Sequence, residues 1–145
     1  MGFIKLHFVL KVYLYPLKLI HLNLLIDMKF LEVISVPVSD QEVSKQFYLK
    51  IGFEIITEAP MGNGNNWVQL GIPGQTTSIT LVNWFTQMQP GGLAGVVIKS
   101  EDIEKEVAEF KAQGVNIKDI DPTPWGKFAT FYDPDGNSFI LREGE

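Results

Sequence analysis

The sequence predicts an α+β fold made of two tandem βαβββ modules. Three observations carry that expectation. A strand–helix–strand pattern recurs at a fixed offset, each copy of the helix stops at a glycine, and proline–glycine turns separate the strands that follow. Asp40 and Asp102 stand 62 residues apart, and so do Gly52 and Gly114. A helix followed by three antiparallel strands, done twice, is an α+β pattern and not a parallel α/β one.

Each element follows from local chemistry. Ile34, Val36 and Val38 alternate, as do Ala94, Val96 and Ile98, which puts one face of each strand against a core. Ser39-Asp40-Gln41-Glu42 fits a capping box at the first helix, and Asp102 fits a cap for the second. Val43, Phe47 and Ile51, then Ile103, Val107 and Phe110, recur at helical spacing as the stripes each helix lays on its sheet. Gly52 and Gly114 stand where a helix takes a left-handed C′ residue. Strands are expected at 66–71 and 77–83, joined by Ile72-Pro73-Gly74. Their counterparts are 127–132 and 137–142, joined by Asp133-Pro134-Asp135-Gly136, where Asp133 and Asp135 read as turn formers. The run Met61 to Asn66 reads as a flexible loop and a candidate lid.

Composition narrows the function classes. A chain of 145 residues supports one domain with a continuous core. The net charge of −5 is uneven: residues 1–27 carry three lysines against Asp27, and the remainder carries nine basic against sixteen acidic groups. An acidic body with no basic stripe argues against nucleic acid and suits a neutral or cationic small ligand. There is no cysteine, and both histidines, His7 and His21, lie in the first 27 residues. Disulfides, thiolate sites, cysteine nucleophiles and serine triads therefore have no residues to work with in the body.

Residues 1–27 read as a non-native or accessory leader, and 28–145 as a single domain with modules at about 29–85 and 93–143. Charges and Pro16 interrupt the leader, so it holds no run near the roughly 18 apolar residues of a spanning helix. It shows no secretory signal either, so a cytoplasmic protein is expected. A membrane-surface anchor and an extra strand around residues 20–24 remain the alternatives.

The run Val36-Pro37-Val38-Ser39-Asp40, Phe47-Tyr48, Ile51-Gly52-Phe53, then Trp125-Gly126-Lys127, Phe131-Tyr132 and Asp133-Pro134-Asp135-Gly136-Asn137, resembles the vicinal-oxygen-chelate superfamily. This is the glyoxalase, bleomycin-resistance protein and extradiol dioxygenase group, and the resemblance covers residues 29–143. It implies paired modules whose curved mixed sheet forms a cup, in a homodimer. Members include metal-dependent lyases, epimerases and dioxygenases, and metal-free proteins that sequester bleomycin-type drugs. The metal ligands of such enzymes, carried over, fall on Val33, Thr80, Gly95 and Ile140, of which only Thr80 is even a weak ligand. Neighbouring Glu32 would face the opposite side of its strand. The resemblance thus implies antibiotic-resistance-type binding of a small molecule, with no metal and no cofactor. A lyase-like or dioxygenase-like enzyme with atypical ligands is the alternative.

Alternation gives the expected cup lining as Val33, Ser35, Thr80, Val82, Gly95, Val97, Ser138, Ile140 and Arg142, with Trp67, Gln69, Trp84, Trp125 and Phe128 near the rim. Such a surface suits a small molecule, and tryptophans stack on planar or cationic groups. Trp67, Gln69, Thr80, Trp84, Trp125, Phe128, Ile140 and Arg142 are the candidate ligand contacts. Each has a plainer role: Trp67 and Trp84 as strand aromatics in a core or dimer interface, Trp125 as a turn residue, and Arg142 as a partner for Glu143 or Glu145.

Overall fold

Alternating β-branched residues at the start of each half form the strands that open two similar layers. A computed structural model describes residues 28–145, so the readings of the leader, its histidines and its extra strand lie outside the described residues. Residues 31–145 form one compact unit. The first sheet contains β1 (Val33–Pro37), β2 (Glu54–Gly62), β3 (Asn65–Gly71) and β4 (Ser78–Val82), with helix α1 (Gln41–Lys50) after β1. The second contains β5 (Val96–Lys99), β6 (Asn116–Ile117), β7 (Asp121–Thr123), β8 (Gly126–Tyr132) and β9 (Ser138–Glu143), with α2 (Ile103–Ala112) after β5. Strand order is β1-β4-β3-β2 in one sheet and β5-β9-β8-β6 in the other, with β7 also on β8. The fold is therefore α+β with two mixed sheets, as the sequence predicts. Among the described residues no helix is long and apolar enough to cross a membrane.

The duplication is visible in the register. In each sheet the first strand pairs in parallel with the last, and Ile34 opposite Ile79 corresponds to Val96 opposite Phe139. The glycine stops also hold: Gly52 and Gly114 have φ of 99° and 73°, a region that a side chain disfavours.

Three local expectations are corrected. The cap of α1 is Asp40 and not Ser39, since the Asp40 carboxylate accepts from the amides of Glu42 (2.9 Å) and Val43 (3.1 Å). Ser39 is taken instead by Asp135, to which both its amide and its hydroxyl donate. The buried stripe of α1 is Ser44 and Tyr48, while Val43 is 53% exposed. The helix is rotated because Tyr48 carries a hydroxyl with a buried partner, which Val43 cannot satisfy. Finally, the candidate lid is a tight hairpin: Met61 and Gly62 end β2, and Asn65 and Asn66 begin β3. Asn63 (φ 53°) and Gly64 turn the chain, a pairing that matches strand twist. On α2 the expectations stand, with Asp102 capping the Lys105 amide (3.1 Å) and Ile103 and Val107 buried.

One core joins the two halves. Val36, Val38, Leu70 and Leu81 from the first sheet and Ala129, Phe131, Phe139 and Leu141 from the second belong to the same buried cluster. Tyr48 meets Phe139 edge-on at 5.9 Å, and Phe131 stacks on Phe139 at 5.4 Å. Each fully buried side chain of this size contributes about 1.5–3 kcal/mol.

The turn after β8 is more than a turn. Asp133 is buried, and its carboxylate accepts from the Tyr48 hydroxyl (2.9 Å), the Asn137 amide (2.9 Å), the Asn137 side chain (2.8 Å) and the Asp135 amide (3.0 Å). Asn137 in turn donates to the Pro37 carbonyl (2.8 Å) and accepts from the Leu93 amide (3.0 Å). The turn of the second module is thereby bonded to β1 and α1 of the first.

Two predictions follow from this network. Asp133→Ala leaves several buried donors without an acceptor and is expected to cost about 3 kcal/mol in urea unfolding, more than any surface Asp→Ala. Burial first, and then the Asp133 charge, push the Tyr48 phenol well above its ordinary value. A raised pKa means stability that is full below the unfolded value of about 10 and is lost as pH rises beyond it. Melting temperature should therefore fall above that pH, and Tyr48→Phe should flatten this part of the profile.

Candidate functional site

Side-chain parity divides each sheet into a core face and an outer face. In the first sheet Gln69 and Ser35 both stand opposite Thr80, so these three share the outer face, and Trp67 lies two residues before Gln69 on β3. In the second sheet Arg142 stands between Lys99 and Phe128, and Ile140 between Val97 and Thr130. Two groups of candidate contacts result, one per sheet. Among the described residues no hydrogen bond or ring pairing joins them.

The first group is held by a polar relay. The Trp67 indole donates to the Gln69 side chain (3.0 Å), Gln69 donates to the Ser78 hydroxyl (2.8 Å), and that hydroxyl donates to the Glu32 carbonyl (2.9 Å). Trp67 and Gln69 are thus oriented and half-buried. Thr80 is 1% exposed, and its hydroxyl donates to the Val68 carbonyl (3.2 Å), so it is spent within the sheet. Trp84 is not on a strand: β4 ends at Val82, where its partner β1 also ends at Pro37, and Trp84 follows in a loop beside Phe85 (5.7 Å).

The second group is more open. Trp125 is 74% exposed on the β7–β8 turn, with its amide donating to the Thr123 hydroxyl (3.2 Å). Gly126 lets that turn close, because a Cβ there would fall on the Glu143 carbonyl and φ is 120°. The Arg142 guanidinium lies 6.0 Å from the Phe128 ring and donates to the main-chain oxygens of Trp125 (3.0 Å) and Glu145 (2.7 Å). The carboxylate of Glu143 is engaged elsewhere, by the Ile103 amide (2.8 Å) and Lys127 (3.2 Å). Arg142 is therefore not paired with that side chain.

Val33, Thr80, Gly95 and Ile140 offer no imidazole or carboxylate, so the enzymatic ligand set of the resembled family does not fit these residues. The carboxylates that do cluster are Asp102, Glu104 and Glu143, at the start of α2. Lys127 bridges Glu104 (2.6 Å) and Glu143, and it holds the Glu104 carboxyl below its ordinary range while its own ammonium is raised. Lys127 thus neutralises part of that cluster, and the Asp102 carboxylate is spent on capping α2.

A cavity of about 410 Å³ lies elsewhere, between the modules. Its deep walls are Ile34, Phe53, Ile79, Val96, Ile98 and Phe139, and its mouth carries Gln75, Thr77, Lys99 and Glu101. None of the eight candidate contacts lines it. Sequence reasoning missed it because its walls are ordinary core residues whose incomplete packing is a property of two modules together.

The sequence profile of the Glyoxalase/Bleomycin resistance protein/Dioxygenase superfamily matches residues 30–141. The chain is 34% identical over 120 residues to the uncharacterized protein YetH of Bacillus subtilis (strain 168), covering 79% of this chain and 98% of that protein. It superposes on the crystal structure of TnmS3, an antibiotic binding protein from Streptomyces sp. CB03234, with a TM-score of 0.79 and 37% identity over 83% of this chain and 100% of that one. A superfamily member from Sphaerobacter thermophilus DSM 20745 is similar at a TM-score of 0.75 and 30% identity, over 80% of this chain and 98% of that one. With the repeated βαβββ register and the matched profile together, this chain belongs to the glyoxalase/bleomycin resistance protein/dioxygenase superfamily.

Proposed function

We propose that this protein is a metal-independent binder of a small, antibiotic-like molecule, acting in the cytoplasm as a homodimer. The observation that carries the reading is the outer face of the second sheet. There Arg142 lies over the Phe128 ring and holds the carbonyl of Trp125, whose exposed indole stands on the neighbouring turn, while Ile140 occupies a place where an enzyme of this superfamily would hold a metal ligand. Planar molecules gain from aromatic faces, and Arg142 adds a directional donor. Similarity to TnmS3 supports the ligand class.

Trp67 and Gln69 supply the matching surface on the first sheet, Trp84 follows that sheet in a loop, and Thr80 is a support within it and not a contact. Hydrophobic exposure supports the homodimer reading. A single chain leaves Ile55, Ile56, Phe85, Val97 and Trp125 exposed, and a second copy that closes outer face against outer face covers both ligand and aromatics. The acidic body remains compatible with this, since the charge near Phe128 is a local one.

The test is a ligand screen read by tryptophan fluorescence and thermal shift, with planar aromatic antibiotics as probes. A ligand that binds wild type should bind Trp125→Ala about five- to tenfold more weakly, in line with about 1 kcal/mol for a stacked ring. Arg142→Gln should weaken it further for ligands with an acceptor group. Elemental analysis after incubation with Ni²⁺, Zn²⁺, Fe²⁺ and Mn²⁺ should find sub-stoichiometric metal. Tight stoichiometric metal would sink this reading in favour of an enzyme with atypical ligands. Sedimentation should give twice the 16.3 kDa chain mass.

A further inference from the structure

We propose that the cavity between the two modules is a second binding site, for a compact uncharged molecule with an apolar body and one hydrogen-bonding head, such as a phenol or fused-ring alcohol. This goes beyond the outer-face reading, because Ile34, Ile79, Val96, Ile98 and Phe139 line it from the core faces of their strands and none of the eight candidate contacts is among its walls. β1 and β5 are the open edges of their sheets, and the cavity takes Ile34 from one and Val96 and Ile98 from the other. Phe53, Ile79 and Phe139, each no more than 7% exposed, close it from within. Its volume of about 410 Å³ falls within the roughly 300–1,000 Å³ of small-molecule sites, and most of its walls are apolar side chains.

The mouth defines the head group. Lys99 and Glu101 stand 3.9 Å apart there, so the rim carries both signs and no net charge. Either charged head would meet one attractive and one repulsive partner there, so the rim gives it no net attraction to offset the water it loses. The Gln75 side-chain amide lines the same mouth and makes no hydrogen bond among the described residues, leaving a donor and an acceptor for a neutral hydroxyl. Since walls come from both modules, an occupant binds only the assembled fold and raises its melting temperature by mass action.

The experiment titrates the full chain with 2-naphthol, 2-naphthoate and 2-naphthylmethylammonium, by calorimetry and by NMR of isoleucine methyl groups. The expected result is one 2-naphthol site, at least tenfold tighter than for either charged analogue. Methyl shifts should fall on Ile34, Ile79 and Ile98 and spare Ile140. Val96→Phe, on the strand face that lines the cavity, should lower affinity at least tenfold. Gln75→Ala at the exposed mouth should lower it severalfold with the fold unaffected. Trp125→Ala, which tests the outer-face reading, should leave 2-naphthol binding intact, so either site can fail without the other. No 2-naphthol binding, equal binding of a charged analogue, or shifts centred on Ile140 would each overturn the proposal.

Discussion

The buried carboxylate of Asp133 sets the relation between the two halves of this protein. A carboxylate out of water is tolerated only when hydrogen bonds replace its hydration, and here four donors converge on it. Two come from Asn137, one from Asp135 within the turn, and one from Tyr48 across the module boundary. Because Asn137 also donates to the Pro37 carbonyl, the turn cannot shift relative to β1 without exposing several unsatisfied groups at once. Hydrophobic contact between Tyr48, Phe131 and Phe139 supplies the area, and the polar network supplies the alignment.

That alignment decides which faces remain for function. Each sheet turns one face to the shared core, so the alternate residues of every strand point the other way. Trp67 and Gln69 on one sheet, and Phe128, Ile140 and Arg142 on the other, share this outer orientation because their strands obey it. The proposed binding surface is thus a by-product of how the core was built. The same geometry leaves β1 and β5 as edges whose core-side residues do not fill the space between them, which is where the cavity lies.

Electrostatics is local on this molecule. The acidic balance suggested a cationic or neutral partner, yet carboxylates close to lysines are largely paired: Glu42 and Glu58 with Lys45, Asp119 with Lys111, and Glu104 and Glu143 with Lys127. Exposed pairs of this kind add little stability. Their effect is to leave Arg142, held by main-chain oxygens, as the directional cation beside Phe128.

The sequence by itself determined the α+β class, the duplication, the strand parity, the α2 cap and the glycine stops. These depend on periodicity and on φ preferences, which are local. Strand register puts Gln69, Thr80, Ile140 and Arg142 on the strand faces that alternation expects, while Trp84 falls in a loop after β4. Only the tertiary structure decided that Asp40 caps α1, because Ser39 is claimed by Asp135, distant in sequence. It alone decided that Tyr48 and Ser44, not Val43, face the core, and that Asp133 is a joint between modules. The cavity was equally invisible, for its walls come from residues that pattern alone marks as ordinary core. Each of these depends on partners far along the chain, and pairwise chemistry between distant residues leaves no trace in local periodicity.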